Sequence, residues 1–432
     1  MLPERAANAD RECRAHLSST EDLHVTETPT DLLAEATALA PRLVELRRHL
    51  HRLPEVGLHL PLTQAAVLAA LHEIERDHAV DLEITTGTAL SSVVAVVPGA
   101  RPGPAVLLRA DMDALPVTED TGEEFTSEHP GAMHACGHDL HTAGLVGAAR
   151  LLVAHRAEVA GSVVLMFQPG EEGDHGARVM IDEGVLDAAG DRVVAAYGLH
   201  VMSSVLPAGL VTTRSGTILA AADTLTVTVR GRGGHGSMPH LAADPVTVAA
   251  EIVIALQTAV TRQFDALDPV VVSVGRITAG TTDNVIPATA EIAATVRTFS
   301  EDTHALVKDR LVRLATHIAA AHGLTVDVEY VRGYPTTVNT PAEVDRASRV
   351  AIELLGVRGF MMAPRPIAGS EDFSYVLQQV PGAYLGLGAT PRGTDPATAA
   401  YNHSAQARFD ESALPVGAAV LAGIALDRLA QP

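Results

Sequence analysis

The 432-residue sequence predicts an α/β fold: a domain with a central, mostly parallel sheet flanked by helices, interrupted by an inserted ferredoxin-like α+β domain. Three observations carry this. Short apolar runs alternate with helical patterns up to about residue 200, which marks a sheet with helices on its faces. Polar clusters fall at the carboxyl ends of those runs, where ligands collect in sheets of this kind. Between about Ala221 and Arg332 the order changes to βαββαβ, a ferredoxin-like unit complete in itself, and more α/β chain follows it, so the unit is an insertion.

Taken in order, "DLLAEATALAPRLVELRRHLHRLPE" and "LTQAAVLAALHEIERD" read as helices. Strands "SSVVAVV" and "AVLLRADMD" come next, then a helix from about His138, strand "SVVLMFQPGEEG", a short helix at "GARVMIDEG" and strand "RVVAAYGLHV". The insertion reads as strand "TLTVTVRG", helix "PVTVAAEIVIALQTAV", strands "VVVSVGRI" and "AEIAATVRTF", helix "THALVKDRLVRLATHIAAAHG" and strand "LTVDVEYV". The expected division is a flexible leader over 1–28, the main domain over 29–220 and 333–432, and the insertion over 221–332. No repeat or low-complexity tract is evident.

Composition narrows the function. Lys and Arg number 31 against 52 Asp and Glu, a formal net charge of −21, and no basic stripe with interleaved aromatics occurs, which argues against a nucleic-acid partner. The single lysine, Lys308, leaves no candidate for Schiff-base or P-loop chemistry. Two cysteines, Cys13 and Cys136, provide no disulfide framework, and a reducing, cytoplasmic location is expected. The leader has no apolar core of the signal-peptide type, and no run of about 18 apolar residues is seen, so no membrane partner is expected.

The chemistry concentrates in "HACGHDLH", His134 to His141. Cys136 and His138, one residue apart at a helix start, suit zinc or another borderline transition metal, although a helix start also collects polar caps. Glu171 and Glu172 follow a strand and a Pro-Gly turn; one carboxylate can hold a metal while its neighbour moves protons. Asp111 and Asp113 end another strand. His200 and His403, taken singly, are of a kind more often found as satisfied core histidines than as ligands.

The motifs "LLRADMDALPV", "MHACGHDLHTA", "FQPGEEG", "YGLHV", "GGHGSMPH", "DNVIP" and "AGSEDFSYV" together resemble, in order, those of the aminoacylase and carboxypeptidase-like zinc peptidases. The likeness is strongest to the branch with hippurate hydrolase, indoleacetyl-amino-acid amidohydrolases and bacterial N-acyl-amino-acid deacylases. It runs from about "RRHLHRLPEVGLH" to beyond His403. The resemblance implies two divalent metal ions, zinc first and manganese, cobalt or nickel as alternatives, held by Cys136, His138, Glu172, His200 and His403. It implies Glu171 as general base, Asp113 orienting the site from outside the ligand set, and His235 as a donor to the developing oxyanion, in its own or a neighbouring subunit's site. Relatives outside the branch carry histidine where this chain has Asp111, which leaves Asp111 between ligand and supporting group.

Asn284 and Arg297 occupy positions from which relatives hold a substrate carboxylate, an outward-facing strand arginine being the alternative, and Gly369 and Ser370 are expected to lend backbone N–H groups. The implied reaction is hydrolysis of N-acyl amino acids by water activated at the metals. A metallo-exopeptidase acting on free peptides is the alternative, and a metal-binding homologue without turnover a third. The insertion is expected to close over the cleft and to offer a surface for a homodimer or higher homo-oligomer.

Overall fold

The computed structural model describes residues 32–430, so the expected leader over 1–28 lies outside the described residues. Two helices open the described chain, α1 (Leu32–Arg52) and α2 (Pro61–His78). They are followed by β1 (Glu83–Thr86), β2 (Val93–Pro98), β3 (Arg101–Asp111), α3 (His138–Ala154), β4 (Ala160–Gln168), α4 (Gly176–Asp182) and β5 (Ala195–Pro207). Two short strands, β6 (Val211–Thr213) and β7 (Gly216–Leu219), lead to β8 (Ala221–Arg230), β9 (Gly234–His235), α5 (Pro245–Arg262), β10 (Val270–Ala279), β11 (Val285–Ile286), β12 (Thr289–Thr298), α6 (Glu301–Ala321) and β13 (Thr325–Arg332). The chain then returns through β14 (Thr337–Asn339), α7 (Pro341–Leu355), β15 (Phe360–Met362), α8 (Ser374–Leu377), β16 (Gly382–Thr390) and α9 (Ala413–Ala430).

The large sheet has the order β1-β2-β4-β3-β5-β16-β6-β15. Its centre, β4-β3-β5-β16, is parallel throughout. Antiparallel pairs occur only toward its flanks, at β1/β2, β2/β4 and β6/β16. Burial on both faces explains the apolar runs read as strands. Along β3, Val106 and Leu108 enter the core beneath the helices, with Leu43, Val146 and Leu421, while Leu107 joins Met166, Met180 and Phe373 on the opposite face.

The insertion forms a separate four-stranded antiparallel sheet, β10-β12-β8-β13. Helices α5 and α6 pack on it around Val227, Ile252, Leu256, Ile292, Val307 and Leu311. Strand β8 alternates because only one face is covered: Leu225, Val227 and Val229 are buried, whereas Thr224, Thr226 and Thr228 are not. Both helices begin where a side chain satisfies an otherwise free N–H: Asp244 accepts from Val246 ahead of α5, and Ser300 accepts from Thr303 ahead of α6. A two-strand ribbon, β9 with β11, projects from the same unit and pairs His235 with Val285.

Two 18-residue helices, α5 and α9, are long and apolar enough to cross a membrane by length and composition. Their apolar surface is used within the fold. Helix α9 is 83% buried, and α5 turns Val248, Ile252 and Leu256 onto its sheet.

Candidate metal centre

The site forms at the carboxyl ends of β3, β4 and β5. Strand β3 pairs with β4 as far as Asp111 opposite Gln168, and with β5 only as far as Arg109 opposite Gly198. His200 therefore stands within β5, not after it, just past the level at which β3 stops supporting that strand. Cys136 arrives from the turn before α3, and His138 is the first residue of that helix. Between them Gly137 is left-handed, at φ 83°, and a Cβ there would lie 2.5 Å from Val201 Cγ2 and 2.9 Å from Phe409 Cε1. Glycine is thus required both for the backbone and for the close packing.

The loop after β4 supplies the glutamates. Gly170 and Gly173 bracket them with φ of 71° and 105°. Asp113 fixes the turn, its two carboxylate oxygens accepting the N–H groups of Glu171 and Glu172 at 3.0 Å each. His403 arrives on a loop after β16 with φ 73°, a strained conformation for a non-glycine residue. Its N–H bonds the Ala135 carbonyl at 2.9 Å. The neighbouring Asn402 amide donates to the carbonyls of Cys136 at 3.1 Å and Val201 at 3.0 Å. One buried asparagine thus clips the cysteine turn, β5 and the His403 loop together.

Ligand-type atoms of Cys136, His138 and His200 lie within 4.8 Å of one another, and so do those of Cys136, Glu172 and His403. Cys136 belongs to both groups, with its Sγ 3.3 Å from His200 Nε2. The hydrogen bonding leaves lone pairs free. His138 donates through Nδ1 to the Asp113 carbonyl at 2.8 Å, while its buried Nε2 has no hydrogen-bond partner. His200 likewise uses Nδ1 on the Val201 carbonyl at 2.8 Å. Glu172 Oε1 is buried without a well-directed hydrogen bond, 3.1 Å from His403 Nε2 and 3.9 Å from His138 Nε2. Burial raises the Cys136 thiol, but His200 and His138 outweigh it and hold the sulfur well below the usual thiol range. A thiolate, imidazole Nε2 atoms turned toward it and a glutamate oxygen without a well-directed hydrogen bond make two overlapping donor groups, which fit a centre for two transition-metal ions.

Glu171 is buried beside this set. Burial, then the nearby Glu371 and Glu172, push its carboxyl well above the ordinary range, as suits a group that takes and returns a proton. Asp111 does not offer a free oxygen: Oδ2 accepts from Arg109 at 2.6 Å and Oδ1 bonds His141 Nδ1. Both oxygens are thus already engaged, and ligand-type atoms of Asp111, His138 and His141 also lie within 4.8 Å of one another. Beneath Asp111 the buried Arg109 also binds Gln168, Glu371 and Asp372, which ties the ends of β3 and β4 to the segment before α8.

Three expected residues lie apart from this cluster. His235 and Asn284 are both exposed on the β9–β11 ribbon; His235 Nδ1 accepts from Ser237 N–H at 3.1 Å, and the Asn284 carbonyl accepts from Gly236. Arg297, on β12, is half-buried and makes no hydrogen bond or salt bridge to any described residue. Gly369 and Ser370 immediately precede Glu371, and the Gly369 carbonyl accepts from Ala220 at 2.9 Å. Residues that sequence reasoning left unassigned are His141, Arg109, Tyr334 and Asn402. For His141 a signal existed, since it follows His138 by three residues on one helix face.

The model for Peptidase family M20/M25/M40 matches residues 107–427, and the chain belongs to that family. Thermostable carboxypeptidase 1 of Saccharolobus solfataricus is 38% identical over 87% of this chain and 92% of its own. N-acetyl-L-cysteine deacetylase of Bacillus subtilis is 36% identical over 82% of this chain and 81% of its own. A solved Bacillus subtilis structure, described as a dinuclear metal-binding peptidase of the M20 family, superposes with a TM-score of 0.77 at 32% identity, covering 91% of this chain and 99% of that one. The protein is a metal-dependent hydrolase acting on amide bonds, with a centre for two metal ions.

Proposed function

We propose that the protein hydrolyses the amide bond of N-acyl amino acids that keep a free α-carboxylate, and that its two ions are zinc. The observation that carries this reading is the pair of donor groups sharing Cys136, with the buried Glu171 alongside. Cys136, His138, Glu172, His200 and His403 would hold the ions, which when bound lower the pKa of water and polarise the scissile carbonyl. Thiolate and imidazole donors favour zinc, with manganese, cobalt or nickel as alternatives that availability decides.

Glu171 takes a proton from the attacking water and delivers it to the departing amine, acting as general base and then as general acid. Asp113 holds the Glu171–Glu172 backbone still while this happens. His235 donates to the oxygen that becomes negative, in its own or a neighbouring subunit's site. Arg297 and Asn284 receive the α-carboxylate, a role supported by the unpaired guanidinium of Arg297. The N–H groups of Gly369 and Ser370 border the substrate. The unit over 221–332 acts as a lid and as the surface of a homodimer or higher homo-oligomer, and the protein works in the cytoplasm, where the Cys136 thiolate stays reduced.

The carboxypeptidase relative favours a second reading, exopeptidase action on free peptides. A panel of hippurate, N-acetyl-methionine, an indoleacetyl-amino acid and unblocked Gly-Phe, run on protein of measured metal content, separates the two. Higher kcat/KM on the acylated substrates supports the proposal, and a clear preference for Gly-Phe replaces it with the peptidase reading.

A further inference from the structure

We infer that Tyr334 is a positioning residue for Glu171, an inference that rests on Glu171 being the base. Tyr334 follows β13, where the chain comes back from the inserted unit to the main sheet, and is buried. Its hydroxyl donates to the Glu171 carbonyl at 2.5 Å and accepts the Gly173 N–H at 2.7 Å. The Gly173 N–H is shared with the Glu171 carbonyl itself, at 2.8 Å. The turn carrying the base is therefore held at both ends: Asp113 takes the N–H groups of Glu171 and Glu172, and the phenol takes the carbonyl of Glu171 and the N–H of Gly173.

The anchor of this phenol is firm. Its ring meets His175 edge-on at 4.8 Å. Its own carbonyl accepts the Ala222 N–H at 2.9 Å, and the preceding Gly333 N–H reaches Asp223 at 3.1 Å. Asp223 also receives the Tyr330 hydroxyl and His304. Tyr334 thus joins the base to the two crossing segments by which the chain enters and leaves the four-stranded sheet. Phenylalanine would keep the ring packing and lose only the two bonds to the turn.

The test is Tyr334→Phe in the full-length, metal-loaded enzyme. The expected result is a kcat lower by roughly ten- to a hundredfold, as slight misplacement of a reacting group produces. KM and metal stoichiometry should hold, and amide hydrogen exchange should quicken in the peptide containing Glu171 to Gly173. Tyr375→Phe is the control: that hydroxyl bonds His175 in the same aromatic cluster and makes no bond to the Glu171 turn, so kcat should stay within about twofold. In a Glu171→Gln background, adding Tyr334→Phe should cost less than about twofold, because the group it acts through is gone. Unchanged kcat or exchange in Tyr334→Phe, parallel loss of metal, an equal loss in Tyr375→Phe, or a full additional loss on top of Glu171→Gln would each overturn the inference. Failure of the underlying reading is seen separately, as undiminished kcat in Glu171→Gln alone.

Discussion

The ends of β3, β4 and β5 differ sharply from the β9–β11 ribbon. At the strand ends the groups around the donor set are fixed by partners from elsewhere in the chain: Asp113 by the glutamate turn, Asn402 by the cysteine turn, Asp111 by Arg109 and His141. On the ribbon, His235 and Asn284 are exposed and their hydrogen bonds are local, and Arg297, on β12 of the same unit, makes none to any described residue. The lesson is that the residues proposed as ligands and base are organised before any substrate arrives, by one packed sheet. The groups proposed to grip substrate are carried on a different core and left free to meet it.

If that contrast is right, the largest effect should come from the shared sulfur. Cys136→Ser should lower the content of both ions and nearly abolish turnover, as chelation should in the parent protein; full loading with normal kcat, read by elemental analysis and assay, would break the contrast at its centre. Glu171→Gln should come next, with both ions retained and kcat lower by at least the ~10²-fold typical of a lost general base. Glu172→Gln should instead release metal, and a reversal of that pair would exchange their roles.

Substitutions on the other core should spare the metal altogether. Arg297→Ala should raise KM for an N-acyl amino acid by an amount on the order of 1.5–3 kcal/mol while barely affecting its amide, and His235→Ala should reduce kcat with the ions in place. Metal loss in either variant would join the two regions in one network.

The smallest effect is one of stability and belongs to the inserted unit. The hydrogen bond that His304 donates to Asp223 at 2.9 Å, together with the Glu301 carboxylate 3.8 Å away, pushes His304 up to about 9 from 6.5. The folded state therefore keeps its proton where the unfolded chain has lost it. That stabilisation is fully present below about pH 6.5 and disappears as pH rises through about 9, with a size on the order of 1–3 kcal/mol. Melting of the protein between pH 7 and 10 should show this decline, and His304→Gln should flatten it. A slope unchanged in that variant would assign the pH dependence to other groups.

Much of this was legible in the sequence, and the reason is local. The strand–helix alternation, the βαββαβ order and the ligand-bearing turns are carried by contiguous residues whose period or spacing has a direct structural meaning. The strand read as "RVVAAYGLHV" ends just after His200; β5 in fact continues to Pro207, held beyond Gly198 by β16, a partner nearly two hundred positions away in the chain. The supporting layer was illegible for the same reason. Arg109 and Glu371, or Tyr334 and Glu171, meet only once the sheet has assembled, and no short pattern announces such pairs. Asp111 illustrates the boundary: its position marked it as important, yet its partners Arg109 and His141 come together on it only in the folded site.

Gly137 has a wider consequence. The atoms proposed to face the ions at positions 136 and 138 sit on side chains, whose donor type can be varied without changing the backbone. Position 137 offers no such latitude, since any side chain would demand an unfavourable φ and collide with Val201 and Phe409. For an engineer adapting the centre to another ion, the flanking pair is where variation can be explored. The glycine between them is the fixed point about which every such redesign must turn.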